Sequence, residues 1–270
     1  RTRSVDSTFI AYVLRTPRTR PCCPAAAAER IRKAYRGNFK VETKADATPV
    51  TEVDIAAEQV IREVIGARFP DHAFFGEELG RGNTDAEYLW LIDPIDGTKA
   101  FVRGYPMFSV QIALMHRGEL VVGVSCAPCW NGGEGELAWA VKGQGAWLDG
   151  ERIAVSDIDA LAGTTLSLGN LARLAQSPGW AELGRIIPQL HRIRGYADFL
   201  HYHLLASGRI DAVVETNVNI LDIAALSVIV REAGGCFTEL DGSDIGLDTT
   251  TVLATNGRLH AAFSGIARGL

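Results

Sequence analysis

The sequence predicts a two-domain protein of mixed structure, α+β in its first half and α/β in its second half. Strand patterns at 109–116, 119–126 and 136–142 follow one another with glycine-bearing turns between them, which favours an antiparallel meander. After residue 150, short strand and helix patterns alternate, which favours a layer with helices on both faces of a sheet. A chain of 270 residues is long enough for two moderate domains. We therefore expect domains at 25–150 and 151–270.

Residues 1–24 differ from the rest of the chain and are left unassigned. They carry five Arg, three Pro and one acidic residue, Asp6, and show no sustained period. An Arg-rich, acid-poor segment is typical of an organelle transit peptide, and a loosely packed extension fits equally well.

The periodicity predicts the following elements in order. In the first domain we expect helices at 25–35 and 54–69, and short strands at 73–75 and 88–92, before the three meander strands. In the second domain we expect strands at 164–168, 192–194, 212–215 and 252–254, and helices at 181–190, 199–207, 223–233 and 258–267.

Charge and composition exclude several classes of protein. The chain has 27 Lys and Arg against 32 Asp and Glu, so it lacks the basic surplus of a nucleic-acid binder. No apolar run reaches the roughly 18 residues that span a bilayer. Five cysteines, an odd number, favour a reducing compartment over a disulfide framework. We expect a soluble cytoplasmic protein that binds neither nucleic acid nor membrane, or an imported one if residues 1–24 are a transit peptide.

One motif carries the strongest chemical signal. The apolar run Trp90-Leu-Ile leads into Asp93-Pro94-Ile95-Asp96, followed by Gly97 and Thr98. Pro94 restricts the backbone and biases Asp93 towards an extended conformation, so the two carboxylates stand on a rigid turn. Two such oxygen donors suit Mg²⁺, whose remaining ligands are water and substrate phosphate. Acidic residues are common where a strand ends in a turn, so a pair of Asp residues alone would need no functional explanation. The combination with Pro, Gly and Thr makes this simpler interpretation much weaker.

Further acidic residues stand at element ends. Glu77 and Glu78 follow a predicted strand, and Glu77 would lie beside the Asp93 turn if the two strands are neighbours. Asp54 and Asp222 each open a predicted helix, where a structural N-cap is the simpler interpretation. Five placed acids together make a metal centre the better hypothesis.

These segments together resemble the inositol monophosphatase family of metal-dependent phosphate monoesterases. The resemblance rests on 44–54 (Lys44, then Thr48-Pro-Val-Thr-Glu-Val-Asp54), 76–78, 90–98 and 221–225, and covers about residues 26–270. It implies a layered αβαβα sandwich and a phosphoric monoester hydrolase that acts as a homodimer and is inhibited by Li⁺. Leu221 departs from the family pattern, which has Trp before the last Asp.

The resemblance also implies the roles of individual residues. Glu77, Asp93 and the Ile95 carbonyl would hold one Mg²⁺, and Asp93, Asp96 and Asp222 a second, with a weaker third ion near Glu77. The Gly97 and Thr98 N–H groups would bind the phosphate. Asp54 would accept a hydrogen bond from the Thr98 hydroxyl, so that Thr98 and Glu77 orient the attacking water.

The second domain suggests the phosphate ester. Tyr196-Ala-Asp198-Phe199 resembles the histidinol-phosphate phosphatases of the family rather than its inositol phosphatases, which carry small residues here. Asp198, Glu215 and Tyr202 could pair with the ammonium and imidazole groups of histidinol phosphate, an intermediate of histidine biosynthesis. Asp198 could equally be a helix cap, and Glu215 also suits a polyol. Inositol monophosphate, a nucleotide 3′-phosphate and fructose bisphosphate remain alternatives.

Other candidates are weaker. Cys126 and Cys129 have the spacing of a redox dithiol, but no amphipathic helix follows and no second pair completes a zinc site. His201 and His203 cannot share one helix face, so a metal pair is not expected and we predict partial burial or exposure. A binding or regulatory protein without turnover is the alternative from another class, and the complete acidic set argues against it.

Overall fold

The computed structural model describes residues 23–37, 39–43 and 49–270. The segment left unassigned at 1–24 lies outside this range except for its last two residues, and so does 44–48, which includes Lys44 and Thr48. Residue contacts divide the chain into two compact units, one ending at Leu137 and the other running Ala138–Leu270. No helix in the described part of the chain is long and apolar enough to cross a membrane.

The described part of the first unit contains three α-helices and seven complete strands. The elements, in chain order, are α1 (Cys23–Tyr35), β1 (Val41–Thr43), β2 (Pro49–Thr51), α2 (Glu52–Gly66), β3 (Ala73–Gly76), β4 (Gly80–Arg81), β5 (Tyr88–Asp96), α3 (Thr98–Val102), β6 (Ser109–His116) and β7 (Glu119–Ala127). The helices predicted at 25–35 and 54–69 are confirmed as α1 and α2. Strand β5 runs four residues past its predicted end.

A mixed sheet with the strand order β7-β6-β5-β3-β4 organises this unit. Strands β5, β6 and β7 pair antiparallel, whereas β3 pairs parallel with β5. The turn between β6 and β7 consists of Arg117 and Gly118, both with positive φ, as the tightest hairpins require. The parallel pairing matters for the site, because it brings the carboxyl end of β3 beside the middle of β5.

Helices α1 and α2 pack against each other, and α1 also lies on β6 and β7. The buried residues of α2 recur at helical spacing and include Val53, Ala57, Ile61 and Ile65, which form its apolar face. Two acidic residues, Asp54 and Glu58, are buried on the same helix. Burial of a carboxylate is unfavourable unless a polar group contacts it. We therefore expect each of these two carboxylates to have a polar partner in the interior.

The second unit begins within β8 (Glu136–Val141) and contains the remaining elements. These are β9 (Gly145–Leu148), β10 (Glu151–Ile153), β11 (Thr165–Leu168), α4 (Leu171–Leu174), α5 (Trp180–Ile186), β12 (Arg192–Arg194), α6 (Asp198–Ala206), β13 (Ala212–Thr216), α7 (Ile220–Glu232), β14 (Cys236–Thr238), β15 (Thr251–Thr255) and α8 (His260–Ala267). The division between the units precedes the boundary predicted near Gly150. Asp149 and Gly150, both with positive φ, instead form the turn between the antiparallel strands β9 and β10.

A five-stranded sheet with the order β12-β11-β13-β15-β14 forms the core of this unit. Strands β12, β11 and β13 are parallel, and β15 is antiparallel to both of its neighbours. One cluster of buried side chains packs on this sheet and includes Leu166, Val214, Leu253 and Phe263. The predicted alternation of strands and helices is confirmed. The three parallel strands end at one edge, where ligands of α/β proteins commonly bind.

Candidate active site

Asp93 and Asp96 stand on a bulge within β5. Asp93 pairs with Gln111 of β6 and Asp96 with Ser109, so the strand carries one extra residue between the two pairs. Pro94 lies in this bulge, where its missing N–H interrupts no ladder hydrogen bond. The Asp93 side chain accepts the Ile95 N–H at 2.9 Å, which fixes its orientation. Carboxylate oxygens of Asp93 and Asp96 lie within 4.8 Å of each other.

Gly97 turns the chain from β5 into α3. Its φ is +89°, in the left-handed region, and a Cβ there would lie 2.6 Å from the Met107 carbonyl oxygen. The position therefore requires glycine for its conformation and for its space. Thr98 follows as the first helical residue, and its hydroxyl lies 2.9 Å from the Ile95 carbonyl oxygen and 3.4 Å from Asp54 Oδ1. The contact between Thr98 and Asp54 that the family resemblance implied is present.

Asp54 is fully buried and belongs to a capping box at the start of α2. Thr51 is the N-cap, and Asp54, three residues later, accepts its backbone N–H on Oδ2 at 2.8 Å and also its hydroxyl. Burial raises the pKa of the Asp54 carboxyl above its ordinary value, and the nearby charge of Glu77 adds to this, while the Thr51 hydrogen bonds oppose it. Asp54 is thus not the N-cap that the simpler interpretation expected.

Glu77 continues the line of β3 and lies beside β5. Gly76 pairs with Ile92, and the Glu77 N–H donates to the Ile92 carbonyl at 3.2 Å, one residue before Asp93. The expectation that the two strands are neighbours is confirmed. Glu78, next in the chain, donates its N–H to the carboxylate of Glu58.

A row of buried polar side chains supports Asp96 from behind. Ser109 Oγ donates to Asp96 Oδ2 at 3.2 Å, and Gln111 Nε2 donates to Ser109 Oγ at 2.8 Å and to Ser125 Oγ at 3.1 Å. Because the Gln111 amide occupies an acceptor position of Ser109, the Ser109 hydroxyl hydrogen points to the carboxylate. Sequence alone does not reveal this row, since its members meet only through the pairing of β5, β6 and β7.

In the second unit, Asp222 repeats the arrangement of Asp54. Asn219 is the N-cap of α7, and Asp222, three residues later, accepts its backbone N–H at 3.0 Å. The Asn219 side chain in turn accepts the Leu221 N–H at 2.9 Å. Asp222 is half-buried rather than enclosed.

Glu215 lies at the centre of a buried polar cluster on β13. Its Oε2 accepts the Tyr202 hydroxyl at 2.8 Å and lies 3.0 Å from His201 Nε2, while His201 Nδ1 lies 3.3 Å from Ser167 Oγ. The predicted direct contact of Tyr202 with substrate is therefore corrected. Tyr202 is 1% exposed, because α6 turns this face into the core, and its hydroxyl already serves Glu215. The partial burial expected for His201 and His203 is wrong as well, since both are fully buried.

Asp198 is the first residue of α6 and is not its N-cap. Ala197 is the N-cap residue and has no polar side chain to cap the helix, and both Ala197 and Asp198 have positive φ. The cap interpretation of Asp198 is therefore wrong. Its side chain is half-buried, at the edge where the parallel strands end. Positive φ in residues other than glycine is uncommon and occurs often at binding and catalytic sites.

The donors on β5 suit a divalent cation. Two buried carboxylates within 4.8 Å repel each other strongly unless positive charge offsets them. Both are hard oxygen ligands on a fixed bulge, the type that Mg²⁺ and Ca²⁺ prefer and that thiolate-seeking metals do not. The residues present therefore fit the magnesium centre that the sequence predicted. Cys126 and Cys129 are buried and form no disulfide bond, as expected.

The model of the inositol monophosphatase family matches residues 23–268. The chain belongs to this family. Its match includes both units and all the acidic segments described above.

Relatives within the inositol monophosphatase family carry more than one substrate name. The chain is similar to the histidinol-phosphatase of Mycobacterium tuberculosis, with 39% identity over 87% of this chain and 92% of that protein. It is also similar to the inositol-1-monophosphatase of Caulobacter vibrioides, with 36% identity over 86% and 95%. The solved structure of the Thermotoga maritima IMPase shares 32% identity and a TM-score of 0.78, and the match covers 90% and 92% of the two chains.

These likenesses establish the fold and the class of enzyme. The chain has the layered α–β fold of the inositol monophosphatases, as the motifs predicted, and it is a phosphoric monoester hydrolase. A binding protein without turnover, the alternative from another class, is set aside. The names of the relatives include histidinol-phosphatase, inositol-1-monophosphatase, fructose-1,6-bisphosphatase/inositol-1-monophosphatase and Nus factor SuhB, so they leave the substrate to be argued from the residues.

Proposed function

We propose that this phosphatase hydrolyses histidinol phosphate to histidinol in a Mg²⁺-dependent reaction. The residue that favours this substrate is Asp198, a half-buried carboxylate at the start of α6, beside the edge where the parallel strands of the second sheet end. A histidinol-phosphatase relative at 39% identity supports it. Histidinol phosphate carries an ammonium group and an imidazole, and both are suited to carboxylate partners.

The proposed metal ligands come from three short segments. Glu77, Asp93 and the Ile95 carbonyl would hold one ion, and Asp93, Asp96 and Asp222 a second; the weaker third ion would lie near Glu77. Residues 151–270 would thus contribute Asp222 and the substrate contacts to the metal-binding residues of 25–150. Bound Mg²⁺ supplies Lewis acidity and lowers the pKa of water, so that hydroxide is available near neutral pH.

Thr98 and Asp54 would orient the attacking water. The Thr98 hydroxyl has one hydrogen and two acceptors within reach, the Ile95 carbonyl and Asp54 Oδ1. With the Ile95 carbonyl engaged as a metal ligand, Asp54 is the remaining acceptor. Thr98 would then donate to Asp54 and offer an oxygen lone pair to the water, and Glu77 would accept from the same water.

The phosphate would bind at the turn that follows β5. The first N–H groups of a helix have no acceptor within the helix, and Gly97 allows close approach of the backbone. The Gly97 and Thr98 N–H groups would therefore donate to the phosphate oxygens. An acidic protein with a formal charge of −5 needs the bound cations to make this site favourable for an anion.

Glu215 would bind the second polar group of the substrate. Tyr202 and His201 hold its Oε2 and so fix the plane of the carboxylate. Tyr202 thus acts through Glu215. The same fixed carboxylate could accept hydroxyl groups of a polyol, which makes inositol 1-phosphate the second candidate, consistent with the Caulobacter relative.

Phosphate release from a panel of esters tests the proposal. We expect histidinol phosphate to give a higher kcat/KM than inositol 1-phosphate, fructose 1,6-bisphosphate and a nucleotide 3′-phosphate. All turnover should stop in excess EDTA and return with Mg²⁺. Turnover that continues in EDTA would contradict the metal mechanism, and a higher kcat/KM for inositol 1-phosphate would favour the second candidate.

Asp198→Asn tests the substrate assignment itself. We expect a higher KM for histidinol phosphate, by about 30-fold or more, because loss of one partner of a desolvated charge pair costs about 2–5 kcal/mol. The KM for inositol 1-phosphate should change little. Asp248→Asn, a neutralised exposed acid elsewhere in the same unit, is the matched control. Equal changes for both substrates would remove Asp198 from ammonium recognition.

A further inference from the structure

Glu58 is a fully buried carboxylate for which the proposed chemistry has no use. It lies on α2, one helical turn after Asp54, and its side chain is 0% exposed. Burial of a carboxylate is unfavourable unless charged or polar groups compensate it. Its partners therefore indicate what the residue does.

Those partners are the turn between β3 and β4 and a second side chain of α2, Arg62. Glu58 Oε2 accepts the backbone N–H groups of Glu78 at 2.7 Å and Leu79 at 3.2 Å. Glu58 Oε1 accepts Arg62 Nε at 2.7 Å, and Arg62 Nη2 donates to the Gly80 carbonyl at 2.9 Å. Two side chains of one helix thus bind three backbone groups in succession.

The residue before Glu77 is held by shape. A Cβ at Gly76 would overlap the Glu58 carboxylate, so the carboxylate packs directly on the glycine backbone. Glu77 therefore lies between Gly76, which packs against the Glu58 carboxylate, and Glu78, whose N–H donates to it. Its own N–H donates to Ile92 of β5. The backbone of Glu77 is consequently fixed on both sides.

We propose that Glu58 and Arg62 are positioning residues for the metal centre, which hold the 76–80 turn so that the Glu77 carboxylate is presented as a ligand. This proposal rests on the proposed function, in which Glu77 binds Mg²⁺. Groups behind a metal ligand commonly change metal affinity by about 10–100-fold when they are removed. A pair with a purely structural role would change folding stability and leave metal affinity unaltered.

Glu58→Gln is the principal test. Glutamine has the size of glutamate, but its NH₂ group cannot accept a hydrogen bond from the N–H donors that contact Glu58. Mg²⁺ binding is measured by calorimetry and by the Mg²⁺ dependence of the melting temperature, and Mn²⁺ binding by electron paramagnetic resonance. We expect the ion that depends on Glu77 to bind about 10–100-fold more weakly. At saturating Mg²⁺, kcat should recover to within a few-fold of the original value.

Arg62→Met is the second variant, and it provides the test if Glu58→Gln does not fold. It keeps the apolar stem of the Arg62 side chain in place. We expect a smaller loss of Mg²⁺ affinity in the same direction. Arg185→Met is the matched control, since Arg185 forms an exposed pair with Glu182 on α5. That variant should bind Mg²⁺ as the original chain does.

The outcomes distinguish the two proposals. Variants of lower melting temperature that bind Mg²⁺ and Mn²⁺ with the original affinity would overturn the positioning role and leave the proposed function standing. An original chain that binds neither ion would overturn the proposed function and this inference with it. Weakened binding in both variants but not in Arg185→Met supports the inference.

Discussion

The starts of α2 and α7 share one hydrogen-bonding arrangement in different surroundings. In each, an N-cap residue is followed three positions later by Asp, whose carboxylate accepts the N-cap N–H: Thr51 with Asp54, and Asn219 with Asp222. Asp54 is fully enclosed and its other oxygen faces the Thr98 hydroxyl, whereas Asp222 is half-buried. The capping bond fixes the orientation of the carboxylate in both cases.

The difference in enclosure decides what each carboxylate can do. An enclosed carboxylate with a hydroxyl partner suits the orientation of a neighbouring group, and burial raises its pKa. A more open carboxylate suits direct coordination of a cation. The helix-start motif thus predicts where the carboxylate lies, and its surroundings determine its role.

Asp222→Asn should show the largest effect, and it tests whether Asp222 is a metal ligand. We expect kcat/KM to fall about a thousandfold, because a bound metal ion contributes several kcal/mol to transition-state stabilisation. The asparagine oxygen can still accept the Asn219 N–H, so the melting temperature without Mg²⁺ should change little. Steady-state kinetics and calorimetric Mg²⁺ titration measure the two quantities. An unchanged Mg²⁺ affinity would exclude Asp222 as a ligand.

Asp54→Asn should have a smaller effect, confined to turnover. We expect kcat to fall about a hundredfold, the lower range for a group that assists proton transfer, because Thr98 loses its acceptor. Mg²⁺ affinity should stay within a few-fold of the original. If Asp54→Asn weakens Mg²⁺ binding as strongly as Asp222→Asn does, the two carboxylates have the same role in metal binding.

The two N-caps themselves should differ in their contribution to stability. Asn219→Ala should lower the free energy of unfolding by about 1 kcal/mol, the usual loss for an N-cap. Thr51→Ala should lower it by about 2 kcal/mol, since Thr51 is buried and its hydroxyl also donates to Asp54. Urea unfolding measures both, and equal losses would show that enclosure adds nothing to the cap.

The smallest expected effect concerns a neutral histidine in each unit, His72 and His260. Burial lowers the pKa of both, and the Trp90 indole N–H donates to His72 Nδ1, which a protonated ring cannot accept. A lowered pKa means that the unfolded chain binds the proton more readily, so stability falls as pH drops from 7 through the folded-state pKa.

Single His72→Phe and His260→Phe variants should therefore lose less stability between pH 7 and pH 5 than the original chain. Urea unfolding at several pH values measures the slope. A slope that neither substitution alters would show that other groups control the acid response.

Much of the fold was predictable because its signals are local. The 109–116 strand ends at a hairpin turn that contains Gly118, and the prediction matches β6 residue for residue. The proximity of Glu77 to Asp93 followed from the rule that consecutive strands pair. The β5 bulge was not predictable, because a bulge exists only relative to a partner strand, and the sequence does not state the register of β6.

The errors at the site have a common cause. Asp198 was a possible cap and Tyr202 a substrate contact because each is the right residue type at a helix start or on a helix face. Tertiary packing overruled both, through the positive φ of Ala197 and the enclosure of α6. Glu58 carried one signal, an Arg62 four residues later on the same helix, but this pairing is common on solvated surfaces.

The contact between Glu58 and Gly76 also restricts the order in which this site can change. Any side chain at Gly76 meets the carboxylate while Glu58 is present. Gly76→Ala should therefore displace the Glu58 carboxylate from the N–H groups of Glu78 and Leu79. A shorter residue at position 58 would remove this overlap. Gly76→Ala should therefore be tolerated better after a substitution of Glu58 than before it, so the order of the two substitutions matters.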